Sequence, residues 1–290
     1  MTNALPPEAY ALYDRYCHGD IDRRAFFDGL GRLSVGGLGA AAMAAALLPN
    51  YALAQQVDPN DPAIRTERFA FKSPQGAGDM QGLLAMPSGD AKVPAVLVVH
   101  ENRGLNPYIE DVARRLAKAG YIALAPDALY PLGGYPGNDD DGRAMQRERE
   151  RDEMLEDFIA GAEAVRGHAR STGRLGAVGF CFGGWVVNEM AVRMESLDAA
   201  VPYYGGWPDA SAAKNLNAPL MVQLAGLDDR VNAGWPDYEA ALIEAGKTYS
   251  VHHYEGVNHG FHNDSTSRFD EAAASLSWDR TLDLFGHYLS

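Results

Sequence analysis

The chain of 290 residues contains only two cysteines, Cys17 and Cys181. So few exclude a scaffold held together by disulfides. Neither a CxxC pair nor an HExxH helix motif occurs, so no familiar metal-ligand spacing is written into the sequence and no metal is expected. Positive charge is scarce as well: 25 Lys and Arg stand against 39 Asp and Glu, a formal net charge of −14. Such a surface would repel phosphates, which argues against nucleic acid as a partner. The Gly- and Ala-rich apolar stretch at 33–48 is shorter than a comfortable membrane span, and no stable membrane anchor is expected from it. There is no internal repeat. What is present is a chain 47% hydrophobic, long enough for one large α/β domain with an appendage.

The appendage comes first. Arg23-Arg24 precedes the apolar stretch, and Ala52-Leu53-Ala54 follows it, just before Gln55. Paired arginines, a moderately apolar core and small residues at alternate positions resemble a twin-arginine export signal. This divides the chain into an export signal at 1–54 and a domain at 55–290, and implies the export machinery as a partner and a periplasmic location. The alternative is a helical extension that packs on the domain and is never cut.

From residue 66 onward strand and helix patterns alternate. Short strands are expected at 68–72 and 81–86 as an opening hairpin. The unbroken apolar run 94–100, PAVLVVH, has the pattern of a strand buried on both faces of a parallel sheet. Asn106 and Pro107 then cap and open a helix that Gly120 ends. Residues 130–143, rich in Gly, Pro and Asp, are expected as a loop over one sheet edge. Further strands are expected at 121–125, 175–180, 198–204, 219–225 and 248–254, with helices near 147–165, 234–245 and 272–289. The alternation predicts a mostly parallel sheet covered by helices on both faces.

The stretch 174–185, RLGAVGFCFGGW, carries the chemistry. Gly179-Phe180-Cys181-Phe182-Gly183-Gly184 fits the small-x-nucleophile-x-small pattern of a strand-to-helix elbow, with cysteine where serine is usual. A side chain lifted off so sharp a turn needs neighbours nearly free of side chain two positions away. A buried core cysteine is the alternative use of Cys181. Asp228 or Asp229, in the loop after the strand 219–225, is placed to orient a histidine; the competing role for either is a helix cap or turn. His259, beside a glycine in the loop after the strand 248–254, is placed to act as a base. His252 and His253 alternate within that strand and are expected to be structural.

These stretches together resemble the dienelactone hydrolase (carboxymethylenebutenolidase-like) family, cysteine-dependent members of the α/β-hydrolase fold, from about residue 64 to the end. The resemblance rests on HENRGLN at 100–106, the elbow around Cys181, Gly226-Leu227-Asp228 with Val231, and Gly256 to Phe261 with His259. It implies Asp228 as the acid. It implies that Glu101 lies beside the cysteine and controls its ionisation. It also implies hydrolysis of a small-molecule ester or lactone through a thioester, without a cofactor, with backbone N–H groups of Phe182 and Asn102 holding the oxyanion. Family members hold a substrate carboxylate with two arginines, where this chain has Pro131 and Asn263, so uncharged substrates are expected. Arg103 is a candidate stand-in, with an ion pair to Glu101 or a plain surface role as the competing readings, and Tyr130, Trp185 and His262 are further candidate substrate contacts. A general carboxylesterase is the competing enzyme. A non-catalytic envelope binding protein competes from another class, and a thiol redox protein lacks a resolving cysteine.

Overall fold

The computed structural model describes residues 5–33, 39–52 and 55–290. Eight strands form one sheet in the order β1-β2-β4-β3-β5-β6-β7-β8. They are β1 (Ile64–Ser73), β2 (Gly78–Pro87), β3 (Val93–Val99), β4 (Ile122–Pro126), β5 (Ser171–Phe180), β6 (Ala199–Tyr203), β7 (Leu220–Ala225) and β8 (Tyr249–Tyr254). The first two pair as an antiparallel hairpin, β2 lies antiparallel to β4, and the remaining neighbours are parallel. β4 and the last five residues of β3 are wholly buried, as strands enclosed on both faces must be.

Helices α4 (Pro107–Lys118) and α10 (Glu271–Tyr288) cover one face; α6 (Arg151–Arg166), α7 (Phe182–Arg193) and α9 (Trp235–Glu244) cover the other. Asn106 caps α4 by accepting from Ile109 N–H at 3.1 Å, with Pro107 at the first helical position. The expected loop at 130–143 is half right. A 3₁₀ turn, Tyr130–Leu132, is followed by α5 (Asp139–Arg147), capped by Asn138 and carrying Asp139, Asp140 and Asp141 in its first turn. The acidic cluster taken for loop is a helix N-terminus, where negative charge meets the unpaired N–H groups.

Ahead of the sheet, α1 (Pro7–His18), α2 (Arg23–Arg32) and α3 (Ala40–Leu47) form a small module. Tyr13, Phe26, Leu30, Met43 and Leu47 build its own core, with Tyr16 stacked on Phe26 at 4.8 Å. Arg23 and Arg24 open α2, and Arg23 pairs with Asp140 at 2.7 Å. Leu53 and Ala54 of the expected cleavage site lie outside the described residues. No helix among the described residues is long and apolar enough to cross a membrane.

Candidate active site

Cys181 sits between β5 and α7 with φ 58° and ψ −113°, a strained conformation for a residue with a side chain. The surrounding glycines make it possible. A Cβ at Gly179 would lie 2.1 Å from Gly183 O, one at Gly183 would lie 2.3 Å from Val99 O, and one at Gly184 would lie 2.5 Å from Tyr203 O. Each is a contact with backbone, which cannot rotate away. Cys181 N–H donates to Tyr203 O at 3.1 Å, which pins the turn to β6. Phe182 opens α7, so its N–H is among the donors a helix leaves unpaired in its first turn.

His259 lies in the loop after β8, and its Nδ1 is 2.5 Å from Asp228 Oδ2. Asp228 also caps the short helix α8 (Asp229–Asn232) by accepting from Val231 N–H at 3.2 Å, so it serves both roles that the sequence left open; Asp229 is exposed. His259 Nε2 is buried without a hydrogen-bond partner among the described residues. Burial works against charge on this imidazole, but Cys181 and Asp228 outweigh it and hold His259 up at about 9. For the Cys181 thiol, burial acts upward and is overcome by His259 and by His18, leaving it well below the ordinary thiol value. Burial likewise raises Asp228, yet the charge and hydrogen bond of His259 hold it below the usual carboxylate range.

Glu101 is fully buried just past β3. Its Oε2 accepts from Asn263 Nδ2 at 2.8 Å and lies 3.6 Å from Arg103 Nη2, while Oε1 has no partner among the described residues. Asn263, which replaces a clamp arginine in the family pattern, is therefore the residue that holds Glu101. Arg103 does not stand in for that clamp. It is 1% exposed and donates to Asp139 at 2.8 Å, so its charge is spent inside the protein.

Three other candidate contacts have surroundings of their own. Tyr130 borders a separate surface cavity of about 320 Å³ with Arg68, Gln81 and Asp127. Trp185 is buried, with the Arg151 guanidinium 3.6 Å above its ring. His262 is a core histidine beside Tyr108 Oη at 2.7 Å and stacked on Phe180, and burial together with Arg115 keeps it well below the usual imidazole value.

What the sequence did not reveal is that α1 lies across the site. His18 Nε2 is 3.7 Å from Cys181 Sγ, and Asn102 Nδ2 donates to Cys17 O at 2.6 Å. Tyr204, at the end of β6 with φ 36°, packs its ring 4.9 Å from that of His259. No spacing in the sequence brings residue 18 to residue 181. With α1 in place there are two cavities of about 370 Å³ each. One is lined by Asp228, His259, Arg230 and Arg268 against α1; the other by Asn102, Phe182 and His18 with Arg143, Arg147, Arg149 and Arg151. Ring nitrogens of His18 and His259 and the sulfur of Cys181 lie within 4.8 Å of one another, a donor set of the kind a borderline divalent metal takes. The Arg230 guanidinium lies 2.9 Å from His18 Nε2 and sets a positive charge against a metal ion at that position.

A mostly parallel eight-stranded sheet with helices on both faces, and a cysteine raised on a strand-to-helix elbow, define an α/β-hydrolase fold. The chain belongs to the dienelactone hydrolase family, whose model matches residues 80–289. A second model, described as YqhI-like, matches residues 1–35. A "Putative carboxymethylenebutenolidase" of Methylorubrum extorquens is 31% identical over 267 residues, 85% of this chain and 91% of that protein. The "Putative hydrolase fragment YghX" of Escherichia coli is 63% identical over 103 residues, 35% of this chain and 88% of the fragment. Among solved structures, a "Putative Dienelactone Hydrolase" from Klebsiella pneumoniae superposes with TM-score 0.69 at 26% identity, covering 78% of this chain and all of that one. The protein is a dienelactone hydrolase-like hydrolase, in keeping with a carboxylic ester hydrolase.

Proposed function

We propose that the enzyme cleaves esters or lactones through a Cys181–His259–Asp228 triad and a thioester intermediate. The observation that carries this is the pairing of a strained, elevated Cys181 with a buried imidazole whose far nitrogen is held by Asp228 at 2.5 Å and whose near nitrogen is unpartnered. The Cys181 thiolate attacks the carbonyl carbon, and the charge moves to an oxyanion held by backbone N–H groups of Phe182 and Asn102. Collapse breaks the C–O bond, and the leaving oxygen takes the proton of the His259 imidazolium. His259 then removes a proton from water, the hydroxide adds to the thioester, and the thiolate leaves with the acid formed.

The cavity beside Asn102 and Phe182 bears on the substrate. Arg149 is committed to Asp157 at 2.7 Å and Arg143 to Asp140, with Arg143 Nη1 left buried without a partner, while Arg147 and Arg151 carry no carboxylate partner among the described residues. We therefore read the substrate as an ester or lactone bearing an anionic group, in place of the uncharged one expected when only positions 131 and 263 were considered. Paired assays of an aryl ester with and without a carboxylate test this. The charged ester should show the higher kcat/KM, and Arg147→Ala with Arg151→Ala should erase the difference; a neutral ester that is better in both proteins contradicts it.

A further inference from the structure

Cys181 faces two imidazoles, each backed by an aspartate on its other nitrogen. His259 is held by Asp228; His18 Nδ1 lies 2.8 Å from Asp14 O and 3.4 Å from Asp14 Oδ2. We propose that α1 is a working part of the active site and that His18, oriented by Asp14, is a second imidazole on Cys181 that stabilises its thiolate. This rests on Cys181 being the nucleophile.

Three features tie α1 to the site. The backbone of Cys17, next to His18, is gripped by Asn102, the residue whose own N–H would meet the oxyanion. Asp14 is held from the domain side by Arg268 at 3.3 Å and by Arg230 at 3.9 Å. His18 is half-buried between them, its ring edge-on to that of His259 at 5.0 Å. The charges that face the sulfur and this ring come from every side: Asp14 on α1, Arg230 on α8, Asp228 and His259 beyond it, and Arg268, with the Tyr204 hydroxyl buried close by. An imidazolium at His18 donates to the thiolate through Nε2 and to Asp14 through Nδ1, which satisfies both ring nitrogens. Arg230 lies 2.9 Å from Nε2 in the structure, and its side chain, 46% exposed, must swing toward solvent and Asp14 when His18 donates to the sulfur. Burial works against charge on His18 but is outweighed by Asp14 and Cys181, which push it up to about 10.

The test is the pH dependence of Cys181 alkylation by iodoacetamide, read by peptide mass so that Cys181 and Cys17 are separated, in the full chain and in His18→Gln and Asp14→Asn. The wild type should show a midpoint well below the ~8.5 of a free thiol. His18→Gln should raise the midpoint by about one unit or more, and Asp14→Asn by less, with the acid limb of kcat/KM for an aryl ester moving the same way. Buried Cys17 reports whether α1 stays docked: should His18→Gln make it reactive, Asp14→Asn carries the test. An unchanged midpoint overturns the proposal. So does a kcat/KM that rises at every pH in the variants, which would mark α1 as a plug. Turnover surviving in Cys181→Ala would instead overturn the nucleophile assignment, whereas the alkylation midpoint needs no turnover and judges His18 separately.

Discussion

At the scale of single residues, roles follow from what each side chain is committed to. Cys181→Ala should lower kcat by roughly 10⁴-fold or more, since members of such a unit fail together. His259→Ala should be comparably damaging. Asp228→Asn should cost less, yet far more than Asp229→Asn, because only Asp228 reaches His259. Steady-state kinetics on the four variants decide this, and a larger loss from Asp229→Asn would reassign the acid. Family position, not local pattern, separates the two aspartates; a helix cap and a residue that holds a histidine have the same sequence signature, and Asp228 makes both contacts. Arg103 shows the opposite limit. A lone arginine after a buried strand looks available for a substrate, and only the fold reveals Asp139 against it, 36 residues later.

Elements explain why the elbow was legible and the cover over it was not. Glycines at 179, 183 and 184 are forced by backbone contacts with Gly183, Val99 and Tyr203, and because the three glycines themselves sit in one tight turn their spacing survives as a local pattern. Gly183→Ala would place a Cβ 2.3 Å from Val99 O, and overpacking of this kind costs about 1–3 kcal/mol. Thermal melts should show a clearly lowered Tm; an unchanged one would mean that the elbow relaxes freely. Strands β3 and β4 are legible because both-face burial leaves unbroken apolar runs, whereas α5 resembles a loop in sequence because its capping acids look like a solvated turn.

The docking of α1 depends on groups that titrate in opposite senses. His18 is raised from 6.5 to about 10, so its contribution is complete below 6.5 and is lost as pH rises through 10. Asp14 is depressed below its ordinary 3.8: burial raises it, but the hydrogen bond from His18 and the charge of His259 outweigh that. Its contribution is present above 3.8 and is lost as pH falls below that value. Limited proteolysis, normalised to an unstructured peptide, should therefore cut within residues 7–18 slowly near neutral pH and faster above about 10. A cutting rate flat across this range would show that these two groups do not hold the helix.

For the whole molecule, the distribution of contacts bears on the fate of the N-terminal segment. Its sequence reads as an export signal because local composition is all that such a reading uses. The fold adds what composition does not contain: an aromatic core among α1–α3, and ties from Tyr51 to Asp139 at 2.7 Å and from Asn50 N–H to Ser265 O at 2.7 Å. We propose that the segment is retained in the working enzyme, wherever that enzyme resides. Mass spectrometry of the protein recovered from cells should find α1 attached; a chain beginning near Gln55 and fully active would contradict it.

The central claim is covalent catalysis by Cys181, and a rapid-mixing experiment with p-nitrophenyl acetate tests it most directly. The account predicts a burst of one nitrophenol per chain, an acetyl group that quenched peptide mapping locates on Cys181, and loss of both after iodoacetamide. Undiminished turnover in the Cys181-alkylated protein, or an acetyl group on any other residue, would contradict it.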